Sequence, residues 1–185
     1  MRLRHLAAFA AASLLSVAAQ AGVFITAGNT SGEPTWNRTT AGNPPTTLSP
    51  VGTAVPYEVT AITVDFTGIY GFSSVALYDN FLHLYVGSFD PSNQFANLLV
   101  ANDDAPVIGT SGFFQSLTAG LTYYVVASGF ANYDAGGYLL TVAGRGNISE
   151  VVPGVVPEPA AWAMLIVGFG AVGLAARRRR EAATA

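Results

Sequence analysis

Ile62-Thr63-Val64-Asp65-Phe66-Thr67-Gly68 decides the fold: three apolar residues alternate with three polar ones and stop at a glycine. A side-chain repeat of two belongs to a β-strand with one buried face, here Ile62, Val64 and Phe66, and not to a helix. Gly68 turns the chain into a second extended run, Ile69 to Tyr78, and Asp79-Asn80 turns it into a third, Phe81 to Gly87. In that third run Leu82, Leu84 and Val86 face one way while Phe81, His83 and Tyr85 face the other. Leu98 to Ala101, Gly112 to Leu117, Leu121 to Gly129 and Gly137 to Ala143 continue the series. Between them lie the turn formers Asp90-Pro91-Ser92-Asn93, Asn102-Asp103-Asp104, Thr118-Ala119-Gly120, Asn132-Tyr133-Asp134 and Gly136-Gly137. No stretch of residues 22–156 sustains a helical repeat. Seven or eight short strands punctuated this way predict an all-β chain, an antiparallel β-sandwich of jelly-roll type.

Upstream, residues 28–56 are rich in Gly, Pro, Thr, Ser and Asn, and Pro34, Pro44, Pro45, Pro50 and Pro56 interrupt any regular element. They predict an irregular arm with one short strand around Thr35 to Thr39. Further upstream, residues 1–21 have the form of a secretory signal: Arg2 and Arg4, an apolar centre from Leu6 to Val17, and Ala19-Gln20-Ala21 as an A-x-A cleavage site for signal peptidase. The mature chain is expected to start at Gly22.

Residues 22–156 carry two arginines, Arg38 and Arg145, and no lysine, against nine acids, so their net charge is −7. Such a surface repels nucleic acid, whose binding depends on neutralising phosphates, and favours solubility or cation binding. Without cysteine the domain is held by its core alone.

The tail reads differently. Residues 160–176 are seventeen uncharged residues, about 26 Å as a helix, just short of a ~30 Å hydrocarbon core. They predict a minimal transmembrane helix. Arg177, Arg178, Arg179 and Arg180 follow and fix its direction, since basic residues beside a short span stay on the cytoplasmic side. Trp162 falls where an indole can keep its N–H wet, and Pro157 and Pro159 keep the approach extended. A plain single-pass anchor accounts for the span and the arginines, but has no need of Pro157-Glu158-Pro159.

In this order, motif, span and basic end resemble the PEP-CTERM sorting signal of Gram-negative bacteria. The resemblance implies handling by an exosortase, a membrane protease acting near the Pro-Glu-Pro. It also implies a transient membrane anchor and delivery to the cell surface or exopolysaccharide matrix, where the mature protein keeps no membrane helix. The chain then divides into a signal peptide, 1–21, a β-sandwich domain, 22–146, a linker, 147–156, and a sorting signal, 157–185.

A second resemblance covers residues 57–143. Tyr70-Gly71-Phe72, Asp79-Asn80-Phe81-Leu82-His83-Leu84-Tyr85, Asn97-Leu98-Leu99, Asn102-Asp103-Asp104, Leu117 to Tyr124 and Gly137-Tyr138-Leu139-Leu140-Thr141-Val142 look like the bacterial pre-peptidase C-terminal (PPC-like) domain. That family implies a small, non-catalytic sandwich accessory to secreted enzymes, some members binding calcium or matrix polymers. No enzyme domain stands beside it in residues 22–156.

Calcium is the one cofactor the loops suggest. Asp79, Asn102, Asp103, Asp104 and Asp134 supply the oxygens that calcium takes, yet Asp and Asn are also what turns prefer, and no D-x-[DN]-x-[DN]-G spacing is present. Catalysis has less support. His83 is the one histidine after the signal, there is no G-x-S-x-G, and Ser111 and Ser128 have no evident base. Trp36, Phe130 and Tyr133, on loops, are the aromatics best placed to stack on a polysaccharide. The expectation is a non-catalytic exported sandwich with a binding or structural role; a calcium-stabilised accessory module is the alternative, and a small secreted hydrolase a weaker one.

Overall fold

In a computed structural model of the chain, residues 21–152 are described. Two compact units divide it, Met1–Val151 and Val152–Ala185. The signal peptide, the Pro-Glu-Pro, Trp162, the predicted membrane helix and the four arginines lie outside the described residues. No helix among those residues is long and apolar enough to cross a membrane.

Ten strands are present among the described residues: β1 (Ala21–Asn29), β2 (Thr35–Trp36), β3 (Val55–Val64), β4 (Gly68–Ala76), β5 (Asn80–Val86), β6 (Leu98–Asn102), β7 (Thr110–Leu117), β8 (Thr122–Gly129), β9 (Gly137–Arg145) and β10 (Ile148–Glu150). They form two antiparallel sheets, β1-β9-β4-β7 and β10-β3-β8-β5-β6, with β2 added to β3. The eight long strands pass between the layers in jelly-roll order, as the turn pattern predicts. β2 and β10 share the free edge of β3, at Val55–Pro56 and at Ile62–Val64.

Three expectations are amended. β1 was not expected, although it pairs with β9 along its whole length, from Ala21 opposite Arg145 to Asn29 opposite Gly137. β10 occupies the start of the expected linker 147–156: Ser149 pairs with Thr63, and the Val151 amide donates to the Ala61 carbonyl. Phe66 is not an inward strand residue. β3 stops at Val64, Asp65 accepts from the Asn147 amide and side chain, and the Phe66 ring lies outside under the Arg145 guanidinium, 3.9 Å from its centroid.

The main core fills the space between the sheets. Ile62, Val64, Leu82, Leu84, Tyr123 and Val125 of the larger sheet meet Tyr70, Phe72, Leu117, Tyr138, Leu140 and Val142 of the smaller. A second core lies on the opposite face of the larger sheet, where residues 30–56 fold over it. Trp36 and Val55 pack on Tyr85, Leu98 and Val126, with Tyr57, Phe89 and Tyr124 at the margin. Both faces of β5 are therefore buried, which is why Phe81, His83 and Tyr85 are as enclosed as Leu82 and Leu84. Among the described residues every strand pairing and both cores are drawn from residues 21–150.

Candidate functional site

The loops at one end of the sandwich bring the sequence's acidic turns together with its most enclosed charge. Arg38 is only 1% exposed. Its guanidinium lies between the rings of Phe81 and Phe130, 4.0 and 4.8 Å from their centroids. Nε and Nη2 donate to the Phe130 carbonyl at 3.0 and 2.6 Å, and Nη1 donates to that of Thr39 at 2.8 Å. Burial pulls its pKa down to about 10, opposed by the charges of Asp103, Asp79 and Asp134. Arg38 stays charged at neutral pH and latches the arm to the loop after β8. Asn132 reinforces the latch, accepting from the Ala54 amide and donating to the Thr53 hydroxyl.

Beside the latch lies a cleft of about 240 Å³, lined by Arg38, Thr40, Ser49, Val51, Phe81, Asp103 and Phe130 among others. Its walls are two aromatic rings and aliphatic groups, and its polar groups are one cation, one carboxylate and two hydroxyls. That combination suits a neutral or weakly polar ligand with hydroxyls, met by Thr40, Ser49 and Asp103, since the Phe81 ring is already covered by Arg38 and His83.

The structure places the expected ligand residues around this end and engages most of them locally. Asp134 accepts from the Ala131 amide, Asp103 from that of Asp104, and Asn102 from that of Gly112. Asp79 sits in the β4–β5 turn, its carboxyl raised first by burial and then by Asp104, Asp134 and Asp103. Among the described residues no three His, Cys, Asp or Glu side chains are grouped as a metal site. Asp103 and Asp134 each engage one loop amide, as turn residues do. Millimolar calcium should leave the melting temperature of residues 22–152 within about 1 °C of its value in chelator; a rise of several degrees, lost in Asp103→Ala with Asp104→Ala, would restore the metal reading.

Beneath the arm lies a second polar group. His83 stacks on Phe81 at 4.8 Å and meets the Trp36 ring edge-on at 4.8 Å. The imidazole is fully buried and neither nitrogen has a partner. It comes near the Thr39 backbone without reaching hydrogen-bond geometry. Burial, then the Arg38 charge, lowers its pKa to about 3, so it is neutral. Ser128 Oγ, in the same layer, also lacks a partner, and Ser111 donates to the Asn80 and Asp103 carbonyls. Trp36, expected on a binding face, is 3% exposed because it plugs the second core, whereas Tyr133 is 87% exposed. Arg38 and Ser49 as cleft residues were missed. The signal for Arg38 was its rarity, one of two arginines in residues 22–156 and set beside Trp36.

Outside the sandwich, residues 155–180 match the family described as PEP-CTERM protein-sorting motif. The tail carries a sorting motif. It implies an exported chain that an exosortase processes at its C-terminus, transiently anchored on its way to the cell surface. No curated protein sequence matches the chain. Among solved structures it is similar to the crystal structure of Aeromonas hydrophila PliG, a periplasmic lysozyme inhibitor of g-type lysozyme, at 10% identity over 74% of this chain and 93% of that one, TM-score 0.38. It is also similar to CBM35 from Cellvibrio japonicus Abf62, at 14% identity over 71% of this chain and 100% of that one, TM-score 0.34. At these scores neither likeness bears on activity.

Proposed function

We propose that this is a non-catalytic protein of the cell surface or extracellular matrix, sorted by its tail, whose sandwich holds a polysaccharide of that layer in the cleft beside Arg38. The observation that carries the reading is the sorting motif at residues 155–180 behind a sandwich with an aromatic-walled, mixed-polar cleft. The PPC-like resemblance of residues 57–143 supports an accessory, binding role in the same sense. After removal of residues 1–21 by signal peptidase, exosortase cleavage near Pro157-Glu158-Pro159 leaves residues 22–152 outside the membrane.

Two measurements test this. In cells making the chain without residues 157–185, the protein should move from the surface or matrix fraction to the soluble exported one; unchanged partitioning would remove the sorting half. Matrix polysaccharide should co-sediment residues 22–152, and Asp103→Ala should weaken that binding about tenfold or more, the worth of one hydrogen bond to a charged group. Equal binding by both proteins would remove the cleft from the reading.

A further inference from the structure

Among the described residues nothing covers the outer face of the four-stranded sheet, and most of that face is apolar. Directly opposed residues on β1, β9, β4 and β7 form three rows across it: Val23, Ala143, Gly71 and Phe114; Ile25, Thr141, Ser73 and Gly112; Ala27, Leu139, Val75 and Thr110. Val23, Ile25, Ile69, Val75, Phe114 and Leu139 are 46% to 77% exposed. Leu77 and Ile108 extend the surface at the rim, flanking the Ala76 to Gly109 hydrogen bond. Arg145, at one end of β9, is the sole charged residue in these four strands.

We propose that this face is a homotypic interface, occupied by the same face of a second copy. Four strands ~4.8 Å apart and about nine residues long make a face of roughly 20 by 30 Å, some 600 Å² before side-chain relief. That approaches the ~800 Å² per partner of a standard specific interface, and its apolar part falls among the largest patches, a few hundred Å², that monomers expose and often use.

Charge selects the occupant. Residues 22–156 carry nine carboxylates and two arginines, so two copies repel wherever those carboxylates meet. None of the nine lies in these four strands. A polysaccharide would leave its hydroxyls unmatched over this surface, which offers mainly methyl groups, and an anionic leaflet would find one arginine on an acidic body.

Shape suits self-packing. Val23 and Ile25 form a ridge on the edge strand β1, while Gly112 and Ser73 leave a low strip near the opposite edge. A two-fold axis sets the ridge of each copy against the strip of the other. The Phe114 ring leans from the edge strand β7 across Gly71, where an added Cβ would come within 3.0 Å of it, and forms the most exposed aromatic knob of the face.

Sedimentation equilibrium of residues 22–152 over a hundredfold range of concentration tests this. The expected result is a reversible dimer that Phe114→Glu weakens about a hundredfold or more, since the symmetric contact loses the knob twice and gains two facing carboxylates. Ile25→Glu, an independent exposed position, should do the same if Phe114→Glu fails to fold. A monomer at every concentration would overturn the proposal. So would a dimer that survives both substitutions, or vesicles of anionic lipid or matrix polysaccharide that bind the wild type and lose it on Phe114→Glu with no dimer present. The result is independent of the cleft, because neither substitution lies among its lining residues.

Discussion

Replacing Arg38 with methionine is expected to lower the melting temperature of residues 22–152 by about 10 °C, or roughly 3 kcal/mol. Methionine keeps much of the aliphatic stem, so the loss comes from the head group that lies between Phe81 and Phe130. Three N–H donors vanish, and the Phe130 and Thr39 carbonyls lose the partners that satisfied them under the arm. Trp36 gives a separate readout. It is the one tryptophan of this segment, and it is buried by the arm that Arg38 latches. In the variant its emission should shift to the red below the main transition, as the arm lifts from a sandwich that is still folded. If stability and emission are both unchanged, the guanidinium adds nothing to the latch beyond its stem.

His83 makes the second core sensitive to acid. Its pKa is about 3 in the folded protein and ordinarily about 6.5 in an unfolded chain. Between these values the unfolded state binds a proton that the folded state refuses, so stability falls as pH drops below about 6.5. The loss should reach about 2 kcal/mol between pH 7 and pH 5, a window that opens before most carboxylates titrate. His83→Leu removes the titrating group without stranding a partner, because neither nitrogen has one. The variant should match the wild type at pH 7 to within about 1.5 kcal/mol and lose little down to pH 5. Parallel stability curves for the two proteins would show that His83 takes up its proton before unfolding.

The sandwich was legible where one face of a strand is wet. Ile62 and Val64 alternate with polar neighbours, and Asp79-Asn80, Asn102-Asp103-Asp104 and Gly136-Gly137 mark turns that the structure contains. β1 was not legible, because both its faces are apolar: Phe24 turns to the core and Val23 and Ile25 to solvent, which erases the period of two. For β5 the alternation named the right inward set, but the unbroken run from Phe81 to Val86 was the sign of burial on both faces. The cover itself could not be read. Proline-rich residues 30–56 look like a loose arm until Trp36 and Arg38 are seen to dock, and docking is a long-range contact that no local pattern encodes. The aspartates near the cleft were legible as loop residues, but not that turns would engage Asp103 and Asp134.

The pairing of β1 with β9 sets an order of events for export. The chain leaves the cytoplasm N-terminus first, and Gly22 must wait for Gly144, 122 residues later, before the smaller sheet can close. Pairings of such sequence separation fold slowly, over milliseconds to seconds. When Arg145 emerges, the forty residues after it, sorting tail included, are still to follow. In the sorting proposed above, the tail would hold the chain at the membrane while its first strand finds its partner. Until then β1 is an uncharged, unpaired strand, and a tether that separates one emerging chain from the next limits its chance of pairing with the wrong copy.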